Sequence, residues 1–378
     1  MKYRQIIDLV RTFCVVAVLG VHAYVNLPIP NRWVCWFWGR FCTNGIYGVF
    51  LFFVVSGFLI TGVIARNDGQ LFKPDFRKFY VQRFGRIGPL FILCFISGLF
   101  IFLAVSPGTR MYLDFFPTGV RHGFWFWFSI PTFLFNWFLV FSPNWGYSVH
   151  WAILWSVAIE EQFYFLYPVA LKRLGIEKKL LIFSLLAVLF AILWRTVFYF
   201  HLPDNGFIQS YASPAKFDLI AIGVLLYLAV QRFGPFLAKN KKMSALLCAG
   251  GLVAMLGSYF GSRQNDRFEE IMVPEILGLG LSAFLLGGFS LSFFESRFLR
   301  VFALPGRYCY GCYLLHPVVL FFIRPFLNRM DVFGGFLFFV ALTTAVAALS
   351  YHFFEEPSNR MIRRTLGGLS KTYAQGPG

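Results

Sequence analysis

The feature that most restricts this chain is an apolar run of about 20 residues that recurs from one end of the sequence to the other. A helix of that length crosses a bilayer core of about 30 Å. Ten such runs are legible, roughly 5–25, 44–65, 87–106, 150–171, 179–200, 214–231, 244–261, 273–293, 308–327 and 332–354. Length alone, 378 residues, would allow two or three soluble domains. A hydrophobic share of 58% against 13% charged residues leaves too little polar surface for that. In lipid each span must satisfy its own backbone, which uncharged runs of this length do as helices. The expected fold class is all-α, a polytopic integral membrane protein.

The formal net charge of +17 raises the question of nucleic acid, and the distribution of the basic residues answers it. Lys and Arg collect on the cytoplasmic side of membrane proteins. With Lys2 and Arg4 inside, the 66–86 stretch carrying Arg66, Lys73, Arg77, Lys78, Arg83 and Arg86 falls inside as well. An aromatic stretch at roughly 123–141, interrupted by Pro131 and Asn136, tests the count. As a full crossing it would put Lys172, Arg173, Lys178 and Lys179 outside and invert every later cluster. As a re-entrant or peripheral helical segment it leaves about ten transmembrane helices with both termini cytoplasmic. Then 23 Lys/Arg lie in inner segments, 7 in outer ones and 4 in spans, so orientation accounts for the basic excess and no nucleic-acid partner is expected.

The N-terminal stretch to Pro28 holds Asp8, Arg11 and His22 within its apolar run and lacks a small-x-small cleavage pattern, so it reads as a retained first span. No repeat, low-complexity tract or appended soluble domain is visible. The expected organisation is one transmembrane domain over 1–364 and a disordered tail over 365–378. Of seven cysteines, Cys35 and Cys42 share one outer loop and are candidates for a disulfide. Cys309 and Cys312 lie C-x-x-C inside a span, where packing is the expected role.

A charge near the bilayer centre costs roughly 2.5–3.5 kcal/mol on insertion scales, so ionisable residues in spans mark cavities or pairs. Arg11 and His22 are eleven residues apart on one helical face, about 16 Å apart in depth, with Asp8 one turn before Arg11. They line one channel, or serve as interfacial anchors and a rim imidazole. In W155-S156-V157-A158-I159-E160-E161-Q162-F163-Y164, Ser156, Glu160 and Tyr164 form a stripe at i, i+4 and i+8, and Glu161 points about 100° away. Lys216 and Asp218 open another span as an ion pair or a substrate contact, and His316 precedes Pro317 in a later one. Arg83 and Arg86 suit bidentate phosphate binding, although a positive-inside flank looks the same. There is no P-loop, G-x-S-x-G, H-E-x-x-H or other metal-ligand spacing, so no metal is expected.

Taken in order, these residues resemble the acyltransferase-3 family of membrane acyltransferases. The matching segments are I-D-L-V-R at 7–11 with His22, G-V-F-L-F-F-V-V-S-G-F-L-I-T at 48–61, F-Y-V-Q-R-F-G-R-I at 79–87 and W-S-V-A-I-E-E-Q-F-Y at 155–164. K-F-D-L-I-A-I-G at 216–223, G-R-Y-C-Y-G-C-Y-L-L-H-P at 306–317 and F-F-E-E-P at 353–357 complete the set. Lys216 stands where an Arg is common in the family, and the esterase-like C-terminal domain of some relatives is not seen.

The resemblance implies an acyl-CoA donor in the cytoplasm, most readily acetyl-CoA, and a hydroxyl of a cell-surface or lipid-linked saccharide as acceptor. It implies a multi-pass protein of the bacterial cytoplasmic (inner) membrane, in contact with membrane lipid; the residues set no oligomeric state. In that frame His22 acts as general base or transient acyl acceptor, and Arg11 binds the donor or steadies the thioester oxygen. Glu160 orients His22 or binds acceptor hydroxyls. Arg83 and Arg86 hold the donor phosphates, and Asp8, Ser156, Glu161, Tyr164, Lys216, Asp218 and His316 line the substrate cavity. A transporter or flippase for a sugar or lipid-linked precursor is the alternative, because polar residues at mid-membrane mark transport paths equally well.

Overall fold

The computed structural model describes residues 4–24, 27, 32–67, 71–106, 109, 111, 115–116, 123–142, 148–202, 206–263, 267–327 and 329–367. Among them the regular elements are all helical, with no strand. The long helices are α1 (Arg4–Tyr24), α3 (Ile46–Asn67) and α4 (Phe76–Ala104), with α2 (Arg32–Thr43) lying between the first two. Two short helices, α5 (Phe124–Ser129) and α6 (Phe135–Phe141), and a single turn, α7 (Val149–Ala152), precede α8 (Leu154–Leu174). Then come α9 (Glu177–His201), α10 (Phe217–Lys239), α11 (Lys241–Gly261), α12 (Arg267–Gly288), α13 (Cys309–Leu327), α14 (Val332–Ser350) and α15 (Glu356–Gly367).

Nine helices of the described residues are long and apolar enough to cross a membrane. Helix α8, the remaining expected crossing, has 21 residues, but Glu160, Glu161 and Gln162 leave it less apolar than those nine. Boundaries follow local chemistry. Asp75 caps α4 by accepting from the Lys78 amide at 3.0 Å, and Asp331 caps α14 through the amides of Phe333 and Gly334. Gly175, at φ +72°, ends α8 with its amide on the Leu171 carbonyl, a left-handed position that a side chain would strain.

Helix α3 is the centre of the bundle. It meets α10 backbone to backbone, because a Cβ on Gly57 would strike the Ile220 carbonyl and one on Gly223 the Val54 carbonyl. Helix α1 packs on α2, α3 and α13. At the periphery, α9 turns Leu185, Leu189, Phe190 and Leu193 outward and α11 turns Leu246 and Val253 outward, the surface a lipid-facing helix presents.

The 123–141 segment is not a crossing. Its two helices, six and seven residues long, are separated by a turn containing Pro131 and Phe133, the latter at φ +55°. That turn meets α8 at Gln162, whose Nε2 donates to the Phe133 carbonyl at 2.6 Å and to Asn136 Oδ1 at 2.8 Å. Gln162 lies eight residues into α8, about 12 Å of helical rise, so the pair packs alongside that helix, the arrangement of a re-entrant or peripheral segment. Asn136, buried, donates to Ser213 Oγ at 2.9 Å, and Ser213 donates to Gln162, closing a ring of three side chains.

The basic segments gather at one end of the bundle, hereafter the basic end. Gln5 Nε2 reaches the Ser296 carbonyl at 2.7 Å, Lys241 bonds the Ser290 carbonyl, and Arg77 bonds the Leu366 carbonyl at 3.0 Å. Helix α15, joined to α14 by a π-helical turn at Tyr351–Glu355, lies along α4 there. It runs three residues into the expected tail; residues 368–378, like Lys2 and the side chain of Cys35, lie outside those described. Cys42 is a buried free thiol, as are Cys309 and Cys312.

Candidate active site

Helix α1 carries two polar groups at different depths. Near the basic end, Asp8 Oδ1 stands 3.6 Å from Arg11 Nη1, the i,i+3 spacing the sequence sets, and Asp8 Oδ2 stands 4.0 Å from Arg307 Nε. Arg83 and Arg86, one turn apart on α4, come up beside them; Arg86 lies within electrostatic range of both Arg11 and Arg83. Helix α8 supplies the counter-charges. Glu160 accepts a hydrogen bond from Ser56 on α3 and lies among Arg83, Arg86 and Arg11. Glu161 neighbours Arg83, and its Oε1 is buried with no hydrogen bond. The Arg83 guanidinium lies 3.9 Å above the Tyr164 ring. Four guanidinium groups, Arg11, Arg83, Arg86 and Arg307, thus gather with three carboxylates, Asp8, Glu160 and Glu161.

Deeper along the same line, the Tyr313 hydroxyl on α13 bonds Ser156 Oγ at 2.7 Å and donates to the Ile153 carbonyl at 2.9 Å. One turn further, His316 is fully buried, and its ring centre is 4.9 Å from that of His22. Arg83 with Tyr164, Glu160 with Ser56, Ser156 with Tyr313 and His316 with His22 therefore form one polar file inside an apolar bundle. Glu160 belongs to its arginine end, with Ser56 as its hydrogen-bond partner, and Arg11 is separated from His22 by about 16 Å of helix. Of the two roles expected for Glu160, orienting His22 or binding acceptor hydroxyls, the first is not the arrangement seen: its carboxylate is bonded to Ser56 and lies near guanidinium groups.

A separate group occupies the far side of α3. Arg195 of α9, 2% exposed, bonds Asp218 at 2.8 Å, Glu275 of α12, and the carbonyls of Ala215 at 2.6 Å and Ile271 at 3.3 Å. Lys216, 3% exposed, holds its ammonium 4.2 Å over the Phe50 ring. The sequence pairs Lys216 with Asp218; the fold gives Asp218 to Arg195. Among the described residues no group of three or more His, Cys, Asp or Glu could hold a metal ion.

Residues 4–354 match the model of the acyltransferase-3 family, an acyltransferase domain. The chain belongs to this family. It is 25% identical over 401 residues to the peptidoglycan O-acetyltransferase OatA of Listeria monocytogenes, covering 98% of this chain and 58% of that protein. It is 23% identical to the O-acetyltransferase OatA of Staphylococcus aureus, covering 99% and 60%, and 26% identical to the putative peptidoglycan O-acetyltransferase YrhL of Bacillus subtilis, covering 94% and 55%. The chain therefore spans less than two thirds of the length of these relatives. No solved structure matches it significantly.

In this chain the partners of several residues in these groups escape a reading of the sequence. Arg195, a lone guanidinium in an apolar span, carried a signal that went unused. Ser56, Tyr313 and Arg307 lie within the quoted segments and Glu275 within an expected span, but nothing local names their partners, which are distant in sequence and sit on other helices.

Proposed function

We propose that the bundle is a membrane O-acyltransferase that moves an acyl group, acetyl in the first instance, from acyl-CoA to a hydroxyl of a saccharide or lipid-linked glycan. The donor arrives at the basic end, which is cytoplasmic, and the acceptor from the opposite side of a bacterial inner membrane. Residues 1–364 act as one domain. The observation that carries this reading is the polar file from Arg83 to His22 through an otherwise apolar interior. The peptidoglycan O-acetyltransferase names of relatives support an acetyl group and a glycan acceptor.

In this mechanism Arg83, Arg86 and Arg11, the last steadied by Asp8, hold the donor phosphates at the basic end, and the donor's pantetheine arm runs along the polar file so that the thioester lies beside His22. Glu160, Glu161 and Tyr164 keep the guanidinium groups in place when no donor is bound. His22 removes the proton from the acceptor hydroxyl as its oxygen attacks the thioester carbon. The C–S bond breaks, and the thiolate takes that proton from the imidazolium, leaving an ester and free CoA. Lys216 and Asp218, expected near the substrate, belong in this reading to the scaffold around Arg195.

The test is radiolabelled acetyl-CoA added to the purified protein in proteoliposomes with candidate glycans. Labelled ester is expected. Translocation of unmodified glycan with no ester formed overturns the enzyme in favour of a transporter. Mass spectrometry of surface glycans from cells with and without the protein then names the acyl group and the polymer.

A further inference from the structure

Two imidazole nitrogens beside His22 are buried without a hydrogen bond. The first is on His316. Its Nδ1 lies 2.7 Å from the Tyr313 carbonyl and 3.2 Å from the Cys312 carbonyl. A carbonyl oxygen only accepts, so Nδ1 carries the proton and Nε2 is left as a lone pair. That Nε2 is buried and has no partner. The second is Nδ1 of His150, a residue outside every motif legible in the sequence. The His150 ring lies flat on Phe115, with centres 3.8 Å apart and planes within 13°, and it is in electrostatic range of both His22 and His316.

Tyr313 builds this arrangement. Its hydroxyl grips Ile153 and Ser156, locking the junction of α7 and α8 against α13. His150 sits one turn before Ile153, and His316 one turn after Tyr313. The same hydroxyl thus fixes both imidazoles relative to His22. A buried lone pair held in one tautomer is costly to leave bare, and a ligand that brings its own donor removes the cost.

We propose that His316 and His150 are the acceptor-binding groups of the site. Nε2 of His316 takes a hydrogen bond from one polar group of the acceptor, and Nδ1 of His150 engages a second. The ligand class is therefore a polyol, a saccharide presenting two polar groups side by side, and not a monohydric alcohol. This assignment rests on reading the bundle as an O-acyltransferase.

The experiment uses the full chain in proteoliposomes with acetyl-CoA. The acceptor probes are methyl glucoside, methyl galactoside and methyl N-acetylglucosaminide, with 1-octanol as the monohydric control. Ester is expected on at least one glycoside and at a far lower rate on octanol. His150→Phe, which keeps the flat contact with Phe115, and His316→Leu are each expected to raise the glycoside KM about tenfold while the acetyl-CoA KM stays in place. His316→Gln, which restores an acceptor atom, is expected to recover most of that loss. Size-exclusion profiles identify any variant that fails to fold, and either His150→Phe or His316→Leu suffices. Octanol acylated as well as the glycosides, CoA released with no glycoside ester, or a wild-type glycoside KM in the folded variants overturns the assignment. Absence of both CoA release and ester overturns the acyltransferase reading itself.

Discussion

Around Arg195 one guanidinium binds two carboxylates and two carbonyls, whereas along α1 the charges are spread over three helices, α1, α4 and α8, and no single group ties them together. Both regions put charge where lipid makes it expensive. In the first, Arg195 makes four hydrogen bonds that tie α9 to α10 and α12 as a fixed knot, with Asp218 Oδ1 and Glu275 Oε2 left bare. In the second, Arg83 offers its face to a tyrosine ring, Glu161 keeps a bare oxygen and His316 a bare nitrogen. A guanidinium bonded on several sides stiffens a bundle, and a bare imidazole nitrogen is available to a ligand. On the proposed function, this difference in how the guanidinium groups are bonded separates scaffold from chemistry.

Four substitutions probe that separation. The largest effect is expected for His22→Ala, which should lower acyl transfer by about 10²- to 10⁴-fold, the usual range for a lost general base, at an unchanged amount of folded protein. Wild-type transfer from that variant removes the imidazole from the chemistry. Next is Arg195→Met. Stranding two buried carboxylates should cost about 3–5 kcal/mol of stability, seen as a lower midpoint in thermal unfolding in detergent, with transfer per folded molecule little altered. Lost transfer at an unchanged midpoint would put the knot among the reacting groups and dissolve the contrast.

Arg83→Lys replaces a fork with a point charge. The loss of roughly 1.5–3 kcal/mol that a charged hydrogen bond carries should appear as a tenfold or greater rise in the acetyl-CoA KM, with the glycan KM unchanged. The smallest effect is expected for Tyr313→Phe. Removing one hydroxyl between Ser156 and Ile153 should cost about 1 kcal/mol, and the transfer rate should fall more than the unfolding midpoint does. The reverse order, a large drop in midpoint with normal transfer, would make Tyr313 part of the scaffold.

Much of the arginine end was legible before any coordinates. Asp8 and Arg11 lie at helical spacing, as do Ser156, Glu160 and Tyr164, and a helix brings such residues to one face wherever it is placed. The 123–141 segment was legible as a non-crossing from Pro131 and the charge order, and the structure adds that it packs against α8 at Gln162. The partner of Glu160 was not legible. Ser56 lies 104 residues away on α3, and no periodicity links two helices that meet only after the chain has folded. His150 and Glu275 went unseen for the same reason, one in a single helical turn and the other among residues of ordinary composition.

Hydrophobic period and the order of basic clusters determined, from sequence alone, an all-helical membrane bundle and its near-complete set of spans. Those properties are local: a run of apolar residues must be helical in lipid whatever surrounds it. Which charges neutralise one another, which imidazole keeps a bare nitrogen and which carboxylate turns toward the arginines were decided only by the tertiary structure. Each depends on the rotation and depth of one helix against another, and those are set by side-chain packing and close backbone contacts such as Gly57 on Ile220.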